Sequence, residues 1–238
     1  MKCACQRALA LLAVCVALSG TGAEPESDWR PLFDGRYPVN FRGYKKSVFP
    51  FNSWGAWNGM LYVAPEGEKV DLVYKDRLTN FEFSVEWKAA PGASSGIIYL
   101  AQEGQGHSVE NGLKMALADD VGNLEAKNSP ECRSGALYGV LPPAQPVPSR
   151  PPGQWNESRV LVQTNYVEHW LNGTRVLAFD ITSETFKNAV SKSRFKNIQD
   201  FGRATDGLLI LEHRGQKFWF RNLQLRILPS PPAKESAN

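Results

Sequence analysis

Two histidines that follow or interrupt apolar runs are the residues best suited to acid–base chemistry. His213 comes just after the run Leu208–Leu211 and stands beside Glu212, a carboxylate able to orient an imidazole and make it more basic. His169 lies within the apolar segment 167–171. Histidine titrates near neutral pH, where a general base must work. The alternatives are a surface ion pair for His213 and a hydrogen bond within the sheet for His169.

A lysine and an aspartate belong to a second candidate cluster, on and just after the predicted strand 113–118. Leu113, Met115 and Leu117 alternate toward the core, so Lys114 faces the other side of the sheet. Lys114 is either a base whose pKa is lowered by burial or an exposed strand lysine. Asp119, with the oxygens of the residues that follow it, either holds a divalent cation such as calcium or forms an acidic turn.

Tryptophan is abundant, with seven in the chain, and this points to a sugar ligand. The flat rings of Trp57, Trp155 and Trp170 match the apolar face of a pyranose, and we expect them to include stacking platforms for a substrate. Trp87 differs, because it shares one face with phenylalanines and is predicted to be core. Arg221 either binds a substrate oxygen or fixes a strand irregularity.

The elements that must position these residues are strands. The sequence FEFSVEWK at 81–88 alternates apolar and polar side chains, as a half-buried antiparallel strand does, and Trp57–Val63 is predicted to be another strand. Asn172-Gly173 predicts a tight hairpin, and the change of register near 221–222 predicts a β-bulge. One helix is predicted over 183–194, with Ser183 as its cap. The pattern indicates an all-β fold, an antiparallel β-sandwich with one short peripheral helix.

The N-terminus predicts export. Two basic residues, an apolar run and small residues ending at Ala23 form a signal peptide over 1–23, and the apolar run is too short for the ~20 residues of a transmembrane helix. We expect a single domain over 24–228 and a disordered tail over 229–238. Cys132 is then the one remaining cysteine, so no internal disulfide forms. The net charge is +3, and no clustered Lys and Arg mark a nucleic-acid surface.

Several segments, in this order, resemble the 3-keto-disaccharide hydrolase family, also described as 3-keto-glucoside lyase/hydratase. The resemblance covers residues 29–228 and implies a concanavalin-A-like jelly roll with a sugar site on its concave sheet. The segments are Trp57-Asn58-Gly59-Met60-Leu61, Ser95-Gly96-Ile97, Ser134-Gly135-Ala136-Leu137-Tyr138-Gly139, Trp155-Asn156, Glu168-His169-Trp170-Leu171-Asn172-Gly173, and His213 followed by Phe218-Trp219-Phe220-Arg221-Asn222-Leu223.

The resemblance also implies a reaction. Family members cleave glycosides that a sugar 3-dehydrogenase has first oxidised at C3: a base removes the acidified C2 proton, the aglycone leaves C1, and water adds. On this resemblance His213 and His169 are acid–base candidates, and Arg221 or Lys114 stabilises the enolate. Tyr138 and Glu212 join the tryptophans as substrate-binding residues.

The sequence departs from the family pattern at three positions. Lys114 stands where the family has Glu, Ala116 where it has Gln, and Leu100 where it has Arg, while Asp119 matches. A divalent metal held by that Glu is therefore in doubt. The sequence predicts a secreted or periplasmic enzyme that cleaves 3-keto-glycosides, and the alternative is a carbohydrate-binding module that has lost catalysis.

Overall fold

The computed structural model describes residues 28–104 and 106–230. The predicted signal peptide and residues 231–238 of the predicted tail lie outside the described residues. Two helices are present in that part of the chain, α1 (Leu124–Asn128) and α2 (Glu184–Lys192). The strands are β1 (Arg30–Pro31), β2 (Phe41–Gly43), β3 (Trp54–Trp57), β4 (Met60–Val63), β5 (Leu72–Tyr74), β6 (Phe81–Ala89), β7 (Ser94–Ala101), β8 (Leu113–Ala118), β9 (Asn156–Gln163), β10 (Tyr166–Leu171), β11 (Thr174–Asp180), β12 (Leu208–Leu211) and β13 (Phe218–Ile227).

The strands form two sheets that pack face to face. Sheet A is eight-stranded, in the order β11-β10-β9-β6-β13-β4-β3, with β1 also paired to β13. Sheet B is five-stranded, in the order β2-β5-β12-β7-β8. Every strand pairing is antiparallel. The predicted antiparallel β-sandwich of the jelly-roll type is confirmed.

The core between the sheets follows from the period-two pattern of the strands. Phe81, Phe83 and Trp87 of β6 are at most 1% exposed, and the polar residues between them lie on the outer face of sheet A. From sheet B, Met115 and Leu117 of β8 fill the same core. Each such side chain contributes about 1.5–3 kcal/mol by leaving water.

Two Asn-Gly turns build two hairpins. The predicted turn at Asn172-Gly173, with φ of 49° and 81°, joins β10 to β11. Asn58-Gly59, with φ of 49° and 76°, makes the same kind of turn between β3 and β4. The prediction of one strand over Trp57–Val63 is therefore wrong, because both central residues take the positive φ that a tight hairpin needs.

The predicted bulge and helix are confirmed. The pairing of β13 with β6 shifts between Arg221 and Gln224, which lets both halves of β13 face the core. Ser183 caps α2, its Oγ accepting the backbone N–H of Phe186 at 3.1 Å. The second helix, α1, is only five residues long and was not predicted. Within residues 28–104 and 106–230, no helix has the length and apolarity to cross a membrane.

Candidate active site

The outer face of sheet B carries a row of charged side chains. Ile210 of β12 lies opposite Val73 of β5 and Ile98 of β7, and all three are buried on this face. Two residues further along the same face, the alternation places Asp71, just before β5, beside Glu212, just after β12. They open into a cleft of ≈ 440 Å³, here called the sheet B cleft. Its lining is Lys69, Asp71, His107, Ser108, Val109, Glu212, His213 and Arg214.

Glu212, which lines the sheet B cleft, forms a buried ion pair with Lys114, which lies behind it. Lys114 Nζ is 2.7 Å from Glu212 Oε2, and the two side chains are 3% and 7% exposed. The interpretation of Lys114 as an exposed strand lysine is therefore wrong. Nζ also lies 3.6 Å from the centroid of the Tyr138 ring. Burial lowers the pKa of Lys114 below that of an ordinary lysine, and the carboxylate of Glu212 opposes this effect.

Glycine makes room for this lysine. Ile98 of β7 lies opposite Lys114 of β8, and the lysine stem runs across Gly96 toward β12. A Cβ on Gly96 would lie only 2.7–2.9 Å from Cγ, Cδ and Cε of Lys114. The missing side chain therefore allows the ammonium group to reach Glu212.

A second carboxylate gathers two arginines beside the ion pair. Glu125 of α1 accepts hydrogen bonds from Tyr138 Oη at 2.7 Å, Arg194 Nη1 at 2.8 Å and Arg214 Nη2 at 3.2 Å. Burial works against ionisation of Glu125, but the bonds from Tyr138 and Arg194 still hold its pKa below the usual value. Arg214 also lies 3.7 Å from Glu212. The three cations of this cluster are Lys114, Arg194 and Arg214, and its ion-paired carboxylates are Glu125 and Glu212. The cations exceed these carboxylates by one charge.

The carboxyl group of Asp71 has a pKa that its surroundings raise toward neutral pH. Its Oδ1 accepts the backbone N–H of His213 at 2.7 Å, and its Oδ2 accepts the hydroxyl of Ser108. Burial, together with the neighbouring Glu212 charge, raises the pKa of Asp71 to about 6 against the opposing effect of those hydrogen bonds. Asp71 can therefore exchange a proton near neutral pH.

His213 contributes its backbone N–H to the cleft, where that group donates to Asp71. Its ring packs edge-on against Trp54, and burial lowers its pKa. Gly215 donates its N–H to Nδ1 at 3.1 Å, so Nδ1 is the acceptor and the proton lies on Nε2, 3.4 Å from the carbonyl of Ala64. The side chain is only 5% exposed and is satisfied without an ion pair to Glu212, so the surface alternative for His213 is wrong.

His169 lies in the core, away from the sheet B cleft. Its Nδ1 donates to the carbonyl of Gly135 at 2.9 Å, because a carbonyl can only accept. Its Nε2 then accepts from the hydroxyl of Tyr99 at 2.8 Å. The residue is fully buried, and burial lowers its pKa to about 4. This arrangement matches the alternative of a histidine satisfied within the sheets.

Four other predicted site residues lie on the outer face of sheet A. Arg221 donates to Glu86 at 2.8 Å and stacks 4.0 Å from the Trp155 ring. Trp170 is stacked by an arginine in the same way, at 4.1 Å, and Trp57 is 69% exposed. The structure therefore separates Arg221 and these tryptophans from the row that contains Lys114. Tyr138 and Glu212, by contrast, are brought together with Lys114.

The residues present do not fit a divalent cation. Asp119 Oδ2 accepts the amide of Gly92 at 2.8 Å, and Oδ1 accepts the amides of Val121 and Gly122 at 3.3 and 3.0 Å. Its carboxylate is thus used in a turn. Over the described ranges, no three or more His, Cys, Asp or Glu residues group as a metal site. In the cleft itself, the ammonium of Lys114 lies at the carboxylate that a cation would need.

Sequence reasoning missed Asp71, Ser108, Glu125, Arg194 and Arg214. Asp71 carried a usable signal, because it precedes Val73 by two residues and so shares its face. The other four come from loops and from α1, where no periodicity links them to a strand face.

Comparison with known proteins gives one consistent answer. A model of the 3-keto-alpha-glucoside-1,2-lyase-like domain matches residues 28–226. The chain is 28% identical over 229 residues to a 3-keto-disaccharide hydrolase from Bacteroides thetaiotaomicron, covering 83% of this chain and 77% of that relative. A crystal structure of a candidate glycosyl hydrolase from Parabacteroides distasonis superposes with a TM-score of 0.76 at 26% identity, covering 84% of this chain and 94% of the other. A second from the same organism has a TM-score of 0.67 at 25% identity, over 84% and 99%.

Proposed function

Because the chain belongs to the 3-keto-alpha-glucoside-1,2-lyase-like domain family, we propose that it cleaves 3-keto-glycosides in the sheet B cleft by β-elimination followed by hydration. It is a glycoside-acting enzyme of the 3-keto-disaccharide hydrolase type. The observation that carries the proposal is the pairing, on one face, of two carboxyl groups in opposite environments. Glu212 is ion-paired to Lys114, while Asp71 has a pKa raised to about 6.

The two carboxyl groups divide the proton transfers between them. A ketone at C3 acidifies the hydrogen on C2, and the carboxylate of Glu212 is the base that removes it. Asp71, whose pKa is raised to about 6, is protonated in a fraction of the molecules near neutral pH, and it delivers that proton to the departing oxygen on C1. A neighbouring group whose raised pKa lets it carry a proton is a usual basis of such a division. Hydration of the resulting double bond reverses the two transfers and releases the 3-keto sugar.

The positive charge of the cluster suits the enolate. Arg214 is partly exposed and lies between Glu212 and Glu125, so its guanidinium can face the oxygen on C3. Lys114, Arg194 and Arg214 together exceed the two carboxylates by one charge, which the developing enolate would neutralise. A preorganised donor of this kind stabilises a transition state by roughly 3–4 kcal/mol.

The test is release of 3-keto-glucose from 3-keto-trehalose and other 3-keto-glucosides by the purified protein, with and without EDTA. Glu212→Gln should lower kcat by about 10²–10⁴-fold, because the base is lost. The matched control is Glu86→Gln, which removes another arginine-paired carboxylate on the outer face of sheet A and should leave turnover unchanged. Equal turnover in Glu212→Gln and wild type would refute the assignment.

Binding without catalysis is the second candidate function. Leu100 and Ala116 replace the arginine and glutamine expected from the family pattern, and these losses favour it. Under this alternative, isothermal titration would detect 3-keto-glucosides in the cleft, and Asp71→Asn and Glu212→Gln would alter affinity. No sugar would be released at any pH.

Export and supply of substrate are further parts of the proposal. Residues 1–23 have the pattern of a signal peptide, so we expect the exported protein to begin near Glu24. Mass spectrometry of the secreted or periplasmic protein tests this. The substrate must come from an enzyme that oxidises the C3 hydroxyl of a glycoside, which is a dehydrogenase reaction.

A further inference from the structure

Lys114, which lies behind Glu212 at the sheet B cleft, is held in an unusual way for a strand residue. Its stem lies across Gly96, its ammonium is beside Glu212, and the face of Tyr138 closes over it at 3.6 Å. A lysine that served only to stabilise the fold could form its ion pair while its long methylene stem stayed in solvent. Here the whole stem is buried, and the ammonium group contacts the carboxylate of Glu212, which lines the cleft.

Two features of this environment lower the pKa of the Lys114 ammonium group. Water is excluded from Lys114, and the cation of Arg214 lies on the other side of the shared carboxylate, 3.7 Å from Glu212 Oε1. Burial and the Arg214 charge both lower the pKa of Lys114, while Glu212 and Glu125 oppose them. Desolvation together with a neighbouring cation is one of the ways in which proteins turn a lysine into a nucleophile.

The proposed substrate carries the electrophile that such an amine attacks. We propose that Lys114 forms a Schiff base with the C3 ketone of the sugar, so that an iminium ion, in place of a free enolate, takes up the electrons of the C2–H bond. This inference rests on the proposed function and deepens it. It also gives a role to a lysine at the position where the family pattern has a carboxylate.

The step balances with the groups present. Glu212, 2.7 Å away, takes a proton from the ammonium of Lys114, and the amine lone pair forms the C3–N bond. The former carbonyl oxygen takes up two of the protons and leaves as water, and Glu212 is again a carboxylate. It then removes the C2 proton, and the electron pair moves toward the iminium nitrogen to give an enamine.

Elimination and release complete the cycle. The enamine expels the C1 oxygen, which takes its proton from Asp71. One water adds its hydroxyl to C1 and gives its other proton back to Asp71, while C2 regains its proton from Glu212. A second water hydrolyses the iminium to free Lys114. One water is formed and two are used, so the net reaction is hydrolysis of the glycoside.

Reductive trapping is the direct test. The full chain is incubated with 3-keto-glucose, the proposed product, and treated with sodium borohydride. Peptide mass spectrometry should find one reduced ketohexose adduct, on Lys114. Lys88→Arg, which changes a lysine on the outer face of sheet A, should leave the adduct in place, and Lys114→Arg should remove it. No adduct on Lys114, or equal labelling of Lys88, would overturn the proposal.

Isotope exchange tests the proposed Schiff base with the wild-type protein alone, so the result does not depend on the folding of a variant. Reversible imine formation replaces the C3 oxygen of 3-keto-glucose with oxygen from water. The wild-type protein should therefore speed ¹⁸O uptake from H₂¹⁸O at least tenfold over buffer. Glycoside cleavage with neither adduct nor enzyme-dependent exchange would overturn the Schiff base and leave the proposed function standing. An adduct on Lys114 without cleavage of any 3-keto-glucoside would support the imine and contradict the proposed function.

Discussion

At the scale of single residues, the site depends on two carboxyl groups that occupy neighbouring positions but have different partners. Glu212 is bound by an ammonium group at 2.7 Å. Asp71 accepts hydrogen bonds from a backbone amide and a hydroxyl, and it lies near the Glu212 charge. The raised pKa of Asp71 therefore comes from its burial and from the Glu212 charge beside it.

Asp71→Asn should stabilise the folded protein at high pH and lower its activity. The pKa of Asp71 is raised to about 6 in the folded protein, so the protonated form stabilises the fold fully below its unfolded value of 3.8 and this stability is lost as pH rises through about 6. The variant should be about 2–3 kcal/mol more stable than wild type at pH 8, with no such gain at pH 3.5. Its kcat should fall by about 10²-fold or more.

Urea unfolding followed by tryptophan fluorescence at several pH values measures this difference. Asp206→Asn is the matched control, because Asp206 pairs with Arg77 on the surface. A stability difference for Asp71→Asn that does not change between pH 3.5 and 8 would contradict the raised pKa.

At the scale of elements, β7 is what allows β8 and β12 to share a site. Gly96 is the residue over which Lys114 crosses from one neighbouring strand toward the other. On the outer face of sheet A, Gly55 has a similar place under the ring of Tyr62. The two glycines therefore form a natural pair for comparison, one beneath the candidate active site and one remote from it.

Gly96→Ala should displace the lysine. The added methyl would overlap three carbons of the Lys114 side chain, so we expect about 1–3 kcal/mol of lost stability and about a 10²-fold fall in kcat. Gly55→Ala should also destabilise the fold, because its methyl would meet the Tyr62 ring, but turnover per folded molecule should stay at the wild-type level. The measurement is kcat together with thermal unfolding, and equal kcat in both variants would show that the position of Lys114 does not matter.

Period-two alternation predicted most of the strands, including β6 and β8, because each has one face against the core. It failed at Trp57–Val63, where the tight turn at Asn58-Gly59 was hidden inside a run of apolar and aromatic residues. The site was harder to predict. Lys114 and Glu212 could be assigned to a strand face, whereas Glu125 and Arg194 reach the same point from loops and helices, and chain folding alone brings them there.

The tryptophans show a second limit of sequence reasoning. Trp155 and Trp170 have the amphipathic rings that sugars prefer, but each is stacked by an arginine on the outer face of sheet A. A single sequence tells which rings are available for stacking. It does not tell whether a sugar or a guanidinium lies on them, because that depends on cross-strand neighbours.

At the scale of the whole molecule, His169 links the two sheets and their loops. It belongs to β10 of sheet A, and its ring nitrogens bond to Tyr99 of sheet B and to the carbonyl of Gly135. The pKa of His169 is lowered to about 4 by burial. Because the unfolded chain binds the proton first, stability is fully present above the unfolded value of 6.5 and is lost as pH falls toward 4.

His169→Gln should flatten this acid dependence. We expect wild type to lose about 3 kcal/mol more than the variant between pH 7 and pH 4, and the variant to keep its turnover per folded molecule. Urea unfolding across this range is the measurement. His107→Gln, an exposed loop substitution, is the control and should follow the wild-type pH curve. Loss of turnover in folded His169→Gln would return His169 to the list of catalytic candidates.

The order in which the strands occur along the chain decides when the sandwich can close. β5 and β7 are joined only through β12, and β4 and β6 only through β13, yet β12 and β13 are the last two strands of the described chain. A nascent chain that ends before residue 208 therefore holds both sheets as separated halves with open edges. Such late, long-range pairing makes folding slow. Both sheets can be completed only once β12 and β13 have been synthesised, and Glu212 reaches Lys114 when β12 joins β5 to β7.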